Sequence, residues 1–376
     1  MFINIFHHFL DMKNIYESHT IAEEERVPSM RIAVTGACNL KCQYCPIDGD
    51  NYVLHVRKFL SNEDFSRVAT NAYEVGIRHF SITGGEPLAV PKTTFEVAET
   101  VRKFPNLGYL RLNTNGIALK QHADRIQDVG FHKIKVSLDS LRTGKYENPS
   151  QRSNSQIKLS NVLEGIDEML NRGITTRVNM VVGKYNINEV QEMIEFCTEK
   201  NLELKLFDIT FYRDALSHNN NFWNENYISL NPLCEELEER FGSPRIVYAV
   251  GGFGNPMPIF KPNSSSPIRV RTSEKTARYR KECEECLDYM CQDGFCNITL
   301  TTNGNLKLCR PEGLDFDLRL VNGNGDLLSD KDIKIKLIRA IELFRETQTK
   351  ERSLDEMVKS WRHSKTSSTP FNIRIF

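Results

Sequence analysis

Ten cysteines occur in this 376-residue chain, and most of them are bunched. The segment Cys38-Asn-Leu-Lys-Cys42-Gln-Tyr-Cys45-Pro has the spacing C-x3-C-x2-C. Three thiolates on one short loop suit a cubane iron–sulfur cluster, and the lack of a fourth local cysteine leaves one iron open to an exogenous ligand. A zinc knuckle completed by a remote ligand is the competing reading, although zinc pairs usually read C-x2-C twice. A second group, Cys283, Cys286, Cys291, Cys296 and Cys309, falls within 27 residues. Cys197 and Cys234 lie in helical windows and read as small buried hydrophobes.

The elements that must position these thiols follow from periodicity. Short β-branched runs at Arg31 to Thr35, His79 to Thr83, Tyr109 to Asn113, Lys133 to Ser137, Thr176 to Val182 and Glu203 to Asp208 alternate with helical windows. The windows are Ser61 to Val75, Thr93 to Lys103, Leu119 to Val129, Lys158 to Asn171 and Ile187 to Lys200, and Ser61 with Asp64 forms a capping-box start. Six βα units with strands buried on both faces predict an α/β fold, a partial (β/α)6 TIM barrel. Function then belongs at the C-terminal ends of the strands. The Cys-rich and Gly-rich segments all fall there: Gly36 to Cys45, Gly84-Gly85-Glu86-Pro87, Thr114-Asn115-Gly116 and Leu138-Asp139-Ser140.

The expected division is an N-terminal extension over residues 1–30, a barrel core over 31–212 and a C-terminal region over 213–376 with the second cysteine group. Within that last region, Gly251 to Pro267 reads as a linker or lid, and Asn297 to Leu308 as a hairpin turning at Asn303-Gly304. A helix over Asn231 to Arg240, one over Asp330 to Thr347 and a shorter one over Ser353 to Trp361 complete the expectation. Asp208, Tyr212 and Arg213 should face a substrate at the rim. Arg269, Arg271, Arg278 and Arg280 form a basic run that suits phosphate or carboxylate groups, although a solvated face is the commoner meaning of such a run.

Lys plus Arg number 49 and Asp plus Glu number 49. Zero net charge argues against a protein that holds nucleic acid or an acidic membrane surface by bulk electrostatics. No apolar run approaches the ~20 residues that span a bilayer. The start, MFINIFHHFLDMK, lacks the features of a secretory signal, so the chain is expected in the cytoplasm, where thiols stay reduced.

The cysteine spacing after the first strand, with Gly84-Gly85-Glu86-Pro87 after the second, resembles the radical S-adenosylmethionine (SAM) superfamily. That resemblance implies a [4Fe–4S] cluster on Cys38, Cys42 and Cys45, and SAM bound at its open iron. Gly84, Gly85 and Glu86 would meet the methionine end of SAM, Glu86 by pairing with its ammonium. Thr114, Ser137 and Asn179 would be further contacts, and Tyr44 would lie by the adenine. It also implies a flavodoxin- or ferredoxin-like electron donor.

Cys296-Asn297 and Gly304-x4-Cys309 resemble the auxiliary-cluster region of the MoaA-like, molybdopterin-pathway GTP cyclases. A second [4Fe–4S] cluster on Cys291, Cys296 and Cys309 follows, with Cys283 and Cys286 as fourth or replacement ligands and structural zinc as the alternative. Departures accompany the likeness. Two arginines of those cyclases correspond to Ile298 and Leu300, basic residues before Gly-Gly-Glu-Pro to His79 and Ser81, and an arginine after the fifth strand to Lys184. Only Arg31 is kept, which implies the family's catalytic frame without its GTP site. The expected function is hydrogen abstraction from a small nucleotide- or sugar-like substrate, leading to cyclisation, rearrangement or oxidation. Modification of a ribosomal peptide, and a non-catalytic zinc or iron–sulfur module, are the alternatives.

Overall fold

A computed structural model describes residues 26–45, 59–143, 159–210, 219–253, 257–263, 266–272, 296–309 and 318–346. Along the chain run β1 (Ser29–Ala33), α1 (Asn62–Glu74), β2 (His79–Thr83), α2 (Pro91–Arg102), β3 (Tyr109–Thr114), α3 (Ala123–Val129) and β4 (Lys133–Ser137). They continue as α4 (Leu159–Asn171), β5 (Thr176–Val182), α5 (Val190–Glu199) and β6 (Glu203–Asp208). After β6 come α6 (Asn219–Asn226), α7 (Asn231–Phe241), β7 (Arg245–Val247), β8 (Met257–Phe260) and β9 (Ile268–Arg271). Last are β10 (Asn297–Leu300), β11 (Leu306–Lys307) and α8 (Asp330–Glu346).

Strands β1 to β6 pair in parallel and in sequence order, so each helix is a crossover between neighbours. One set of alternate side chains, including Ile32, Ile82, Leu112, Val136, Val178 and Leu206, joins the apolar residues of the helices in the main core. The other set lies on the opposite face, the inner side of a partial barrel that does not close. Helix α1 starts as its sequence prescribes: Ser61 Oγ accepts from the Asp64 N–H at 3.1 Å, and Asp64 Oδ2 accepts from the Ser61 N–H at 2.9 Å.

The sheet does not stop at β6. At one edge, β9 runs parallel to β6 and carries β8 and β7 antiparallel beyond it. The stretch expected as a linker or lid, Gly251 to Pro267, therefore contains strand β8 and leads directly into β9. At the other edge β10 pairs parallel with β1, and the hairpin to β11 turns at Asn303 and Gly304, the latter at φ +80° where glycine carries no Cβ penalty. Helix α8 packs on α1, with Arg67 Nε 2.7 Å from Asp330 Oδ1 and Lys334 paired to Glu74. Residues 1–25, the helix expected over Ser353 to Trp361, and Cys283, Cys286, Cys291, Tyr212, Arg213, Arg278 and Arg280 lie outside the described residues. No helix among the described residues is long and apolar enough to cross a membrane.

Four strands are tied together by one carboxylate. Glu203 of β6 accepts from Lys133 Nζ of β4 at 2.5 Å, from Arg177 Nη2 of β5 at 2.6 Å and from Arg269 Nη1 of β9 at 3.0 Å. Burial alone would raise its pKa, but the charges of Arg177, Lys133 and Arg269 hold it well below the usual carboxylate range. Removing one member of a buried charge cluster leaves the others uncompensated. Glu203→Gln should therefore lower unfolding free energy by about 3–5 kcal/mol in a urea titration at pH 7, and a loss below about 1 kcal/mol, the surface-pair value, would refute this role.

Candidate active site

The cysteine loop leaves the C-terminal end of β1 and is held by the glycines after β2. The Gly85 N–H donates to the Thr35 carbonyl at 2.7 Å and the Glu86 N–H to the Ala37 carbonyl at 2.8 Å. Contact is so close that a Cβ on Gly84 would stand 2.3 Å from the Thr35 oxygen, and one on Gly85 2.3 Å from the Ala37 oxygen. Gly84 also sits at φ +146°, so both glycines are required by geometry. Cys38 and Cys45 are exposed and Cys42 is half-buried. No three potential ligand side chains among the described residues already stand close enough together to hold a metal as they are. The donor set nonetheless fits: three thiols on one rim loop, as cubane clusters require, clamped at its start by a backbone that admits no side chain.

Both Glu86 oxygens are bonded within the rim. It is 2% exposed, and Oε1 accepts from the Leu88 N–H at 2.9 Å and from Thr114 Oγ1 at 2.7 Å. Oε2 accepts from the Asn115 N–H at 2.6 Å. Its carboxylate buckles the glycine loop to the end of β3. Burial raises its pKa against the opposing pull of these donors. Thr114, expected as a SAM contact, is a partner in the buckle, and Asn115 Nδ2 extends it to Asn39 Oδ1 of the cysteine loop at 2.6 Å.

Across the rim, the Tyr44 hydroxyl donates to Asp139 Oδ2, while Asp139 Oδ1 accepts from the Val181 N–H at 2.8 Å. Tyr44 packs on a small aromatic group formed by Ile209, Phe222 and Trp223 with Tyr185 and Tyr227. Phe222 stands 6.4 Å from the Tyr44 ring and 5.5 Å from Tyr185. Sequence reasoning named Tyr44 and missed the others, although the Asn219 to Tyr227 segment is visibly aromatic. Ser137 and Asn179 are register partners on β4 and β5 at the same rim. The buried Asn179 Oδ1 has no hydrogen-bond partner among the described residues, an acceptor suited to a bound donor.

Below the rim, register decides what faces the barrel interior. Arg31 pairs with Ser81, Ser81 with Arg111, and Arg111 with Lys133. Lys135 pairs with Arg177, Asn179 with Lys205, Lys205 with Arg269, and Phe207 with Arg271. All these side chains share the inner face, where Glu203 is the single acid contributed by the parallel strands among the described residues. The balanced charge of the whole chain conceals this, and Arg269 and Arg271 belong to the interior, not to a solvated face. Asp208 has the opposite parity: it is 1% exposed and accepts from Thr272 Oγ1 at 3.2 Å, so it does not face the interior. Lys184 is exposed just after β5. Burial and the neighbouring Arg111 push His79 down to about 4, so it adds no charge near neutral pH.

At the far end of the sheet, Cys296 precedes β10 and is 6% exposed. Asn297 Nδ2 donates to its sulfur at 2.7 Å, and Arg271 Nη2 lies 3.8 Å away. Pairing of Thr299 with Lys307 and Leu300 with Leu306 carries the hairpin back toward Asn297, bringing Cys309 to the end of the ladder where Cys296 stands. Cys197 and Cys234 are buried as expected, at 1% and 0% exposure.

Residues 32–197 match the family model of the Radical SAM superfamily. A GTP 3',8-cyclase of Staphylococcus epidermidis is 30% identical over 221 residues, which are 57% of this chain and 62% of that enzyme. The match thus spans less than two thirds of that relative. A GTP 3',8-cyclase of Alkaliphilus oremlandii is 27% identical over 313 residues, 82% of this chain and 86% of that one. Among solved structures, native anSMEcpe with bound AdoMet and Kp18Cys peptide superimposes with a TM-score of 0.53 at 16% identity, over 89% of this chain and 95% of that one. A barrel of this kind, with its cysteine loop clamped by paired glycines, has the layout of the radical SAM fold. Residues 32–197 are thus similar to the radical SAM superfamily, and the chain has sequence relatives among the GTP 3',8-cyclases.

Two outcomes test this geometry. Gly85→Ala should leave the fold's far-ultraviolet dichroism intact while sharply lowering iron retention, because the new methyl displaces the Ala37 carbonyl; full iron loading would count against the clamp. Asp139 is raised from 3.8 to about 6 by burial, against the lowering effect of its bonds from Tyr44 and Val181. A raised folded-state value means its contribution is fully present below about pH 4 and is lost as pH climbs through about 6. Relative to wild type, apo Asp139→Asn should gain up to about 3 kcal/mol of stability between pH 4 and pH 7, and a pH-independent difference in urea unfolding would contradict the assignment.

Proposed function

We propose that the protein reductively cleaves SAM at a [4Fe–4S] cluster on Cys38, Cys42 and Cys45 and abstracts hydrogen from a small anionic biosynthetic substrate inside the barrel. When bound, the cluster and SAM supply a 5′-deoxyadenosyl radical, the hard chemistry that side chains cannot provide. The chain's own groups position and enclose. Gly84 and Gly85 let backbone approach the methionine end, Ser137 and Asn179 offer polar contacts to the ribose or carboxylate, and Tyr44 with Phe222 and Tyr185 forms an apolar wall suited to adenine.

The observation that carries the substrate class is the inner face, where Arg31, Arg111, Lys135 and Lys205 stand with the cations gathered on Glu203. Several cationic donors converging on one cavity favour a phosphate- or carboxylate-bearing molecule, nucleotide- or sugar-like, over a neutral peptide segment. The likeness to GTP 3',8-cyclases agrees with this, and cyclisation, rearrangement or oxidation would follow hydrogen abstraction. A second [4Fe–4S] cluster on Cys296, Cys309 and Cys291, with Cys283 and Cys286 as further candidates, would bind substrate or accept an electron. A flavodoxin- or ferredoxin-like protein would deliver the reducing electron.

Anaerobic reconstitution tests the proposal. About eight irons per chain, two cubanes' worth, and 5′-deoxyadenosine on reduction with SAM are expected. Cys42→Ala should abolish SAM cleavage, whereas a variant that still forms 5′-deoxyadenosine would exclude the cluster assignment. Zinc without iron after strict anaerobic handling would exclude radical chemistry altogether.

A further inference from the structure

The two ends of the parallel part of the sheet meet at one sulfur. Arg271 ends β9, the strand beyond β6, and Cys296 stands immediately before β10, the strand beyond β1, so β1 to β6 all lie between them in sheet order. Arg271 Nη2 nevertheless reaches to 3.8 Å from Cys296 Sγ, across the gap that the barrel leaves open. Asn297 Nδ2 donates to the same sulfur at 2.7 Å, and Asn297 Oδ1 accepts from Thr299 Oγ1 at 3.1 Å. Both ends of that amide are thus engaged, and the hydroxyl of Thr299 keeps its donating end on the sulfur.

Cys296 is 6% exposed, so water has little access to it and the protein must supply its polar partners. A metal-bound thiolate carries no proton and can only accept, which is what an amide N–H and a guanidinium ask of it. Cys309, half-buried, stands at the same end of the β10–β11 ladder, so the donor set fits a cluster ligand with its outer partners already in place. Such partners tune a centre as well as hold it. Hydrogen bonds to a ligating sulfur and a nearby fixed cation both favour the form of an iron–sulfur cluster with more negative charge, which is the reduced one. Arg271 is a cation that does not lose its proton. The first cysteine loop offers a different setting, with Cys38 and Cys45 exposed and Cys38 Sγ accepting from the Leu40 N–H at 3.3 Å.

We propose that Arg271 and Asn297 are positioning residues for the second cluster, raising its reduction potential through the hydrogen bonds they donate to the Cys296 sulfur. The inference rests on the second-cluster reading above and adds to it the side chains that set the potential. Reduction adds one electron and neither forms nor breaks a bond at these residues. Guanidinium and amide both keep their protons, so the contribution is independent of pH near neutrality. A raised potential suits this centre to taking an electron up rather than giving one away.

The full-length chain with Cys38, Cys42 and Cys45 all changed to alanine isolates the second centre. Reconstituted anaerobically, it should hold about four irons, one cubane's worth, and a dithionite titration followed by electron paramagnetic resonance gives its midpoint. Arg271→Met in that background should keep the iron and lower the reduced-to-oxidised ratio at fixed potential at least about tenfold, a shift of about 59 mV to more negative values for a one-electron couple. Asn297→Leu should move the midpoint in the same direction, and Arg271→Lys, which keeps the charge, should restore most of the Arg271→Met loss. Midpoints unmoved in Arg271→Met and Asn297→Leu, or iron lost from both, would overturn this inference and leave the second-cluster reading standing. A background variant that takes up no iron would overturn both.

Discussion

The charge cluster on Glu203 is the interaction on which the interior depends. Cations on neighbouring inner-facing positions repel one another, and a parallel sheet sets its strands only about 4.8 Å apart. Glu203 meets this constraint at the point where β4, β5, β6 and β9 come together, neutralising part of a basic surface and locking the register of four strands in the same contact. With that register fixed, Lys135, Arg177 and Lys205 are held at defined depths below the rim. Among the described residues, a basic inner face is thereby built without acids scattered through it.

The rim follows a second logic, in which polar side chains are spent on holding loops. Glu86 joins the glycine loop to β3, Asn115 joins β3 to Asn39, and Asp139 joins Tyr44 to β5. Each bond spans loops far apart in sequence. The cysteine loop is therefore fixed at its start by backbone contacts to Thr35 and Ala37 and near its end by Tyr44. Such pre-organisation suits a cofactor whose reactive atom must be aimed within a fraction of an ångström.

Much of this was legible in the sequence. All six core strands were visible because short β-branched and apolar runs such as Val178 to Val182 alternate with helical windows, and the capping box at Ser61 marked the start of α1. The hairpin of β10 and β11 announced itself through Asn303-Gly304. Strands β8 and β9 did not, since four-residue strands in a Gly-, Pro- and Ser-rich stretch carry too little periodicity to register. The cationic interior was hidden for a deeper reason. Arg31, Arg111, Lys135 and Lys205 come from four different strands, far apart in sequence, and whole-chain charge averages them away. Only strand register brings them together. The role of Glu86 was hidden likewise, because a motif shows which residue is present and not which of its oxygens are already taken.

Strand β1 has a partner on each side, β2 about fifty residues downstream by register and β10 more than two hundred and fifty. On a ribosome adding roughly 5–20 residues per second, the strand that leads into the cysteine loop waits roughly 15–50 s with one hydrogen-bonding edge bare. An unpaired edge is a template for pairing with another chain. The order of synthesis thus runs against the order of need, because the cysteine loop is attached to the strand whose pairing is completed last. Overexpression without chaperone capacity would tax this strand first.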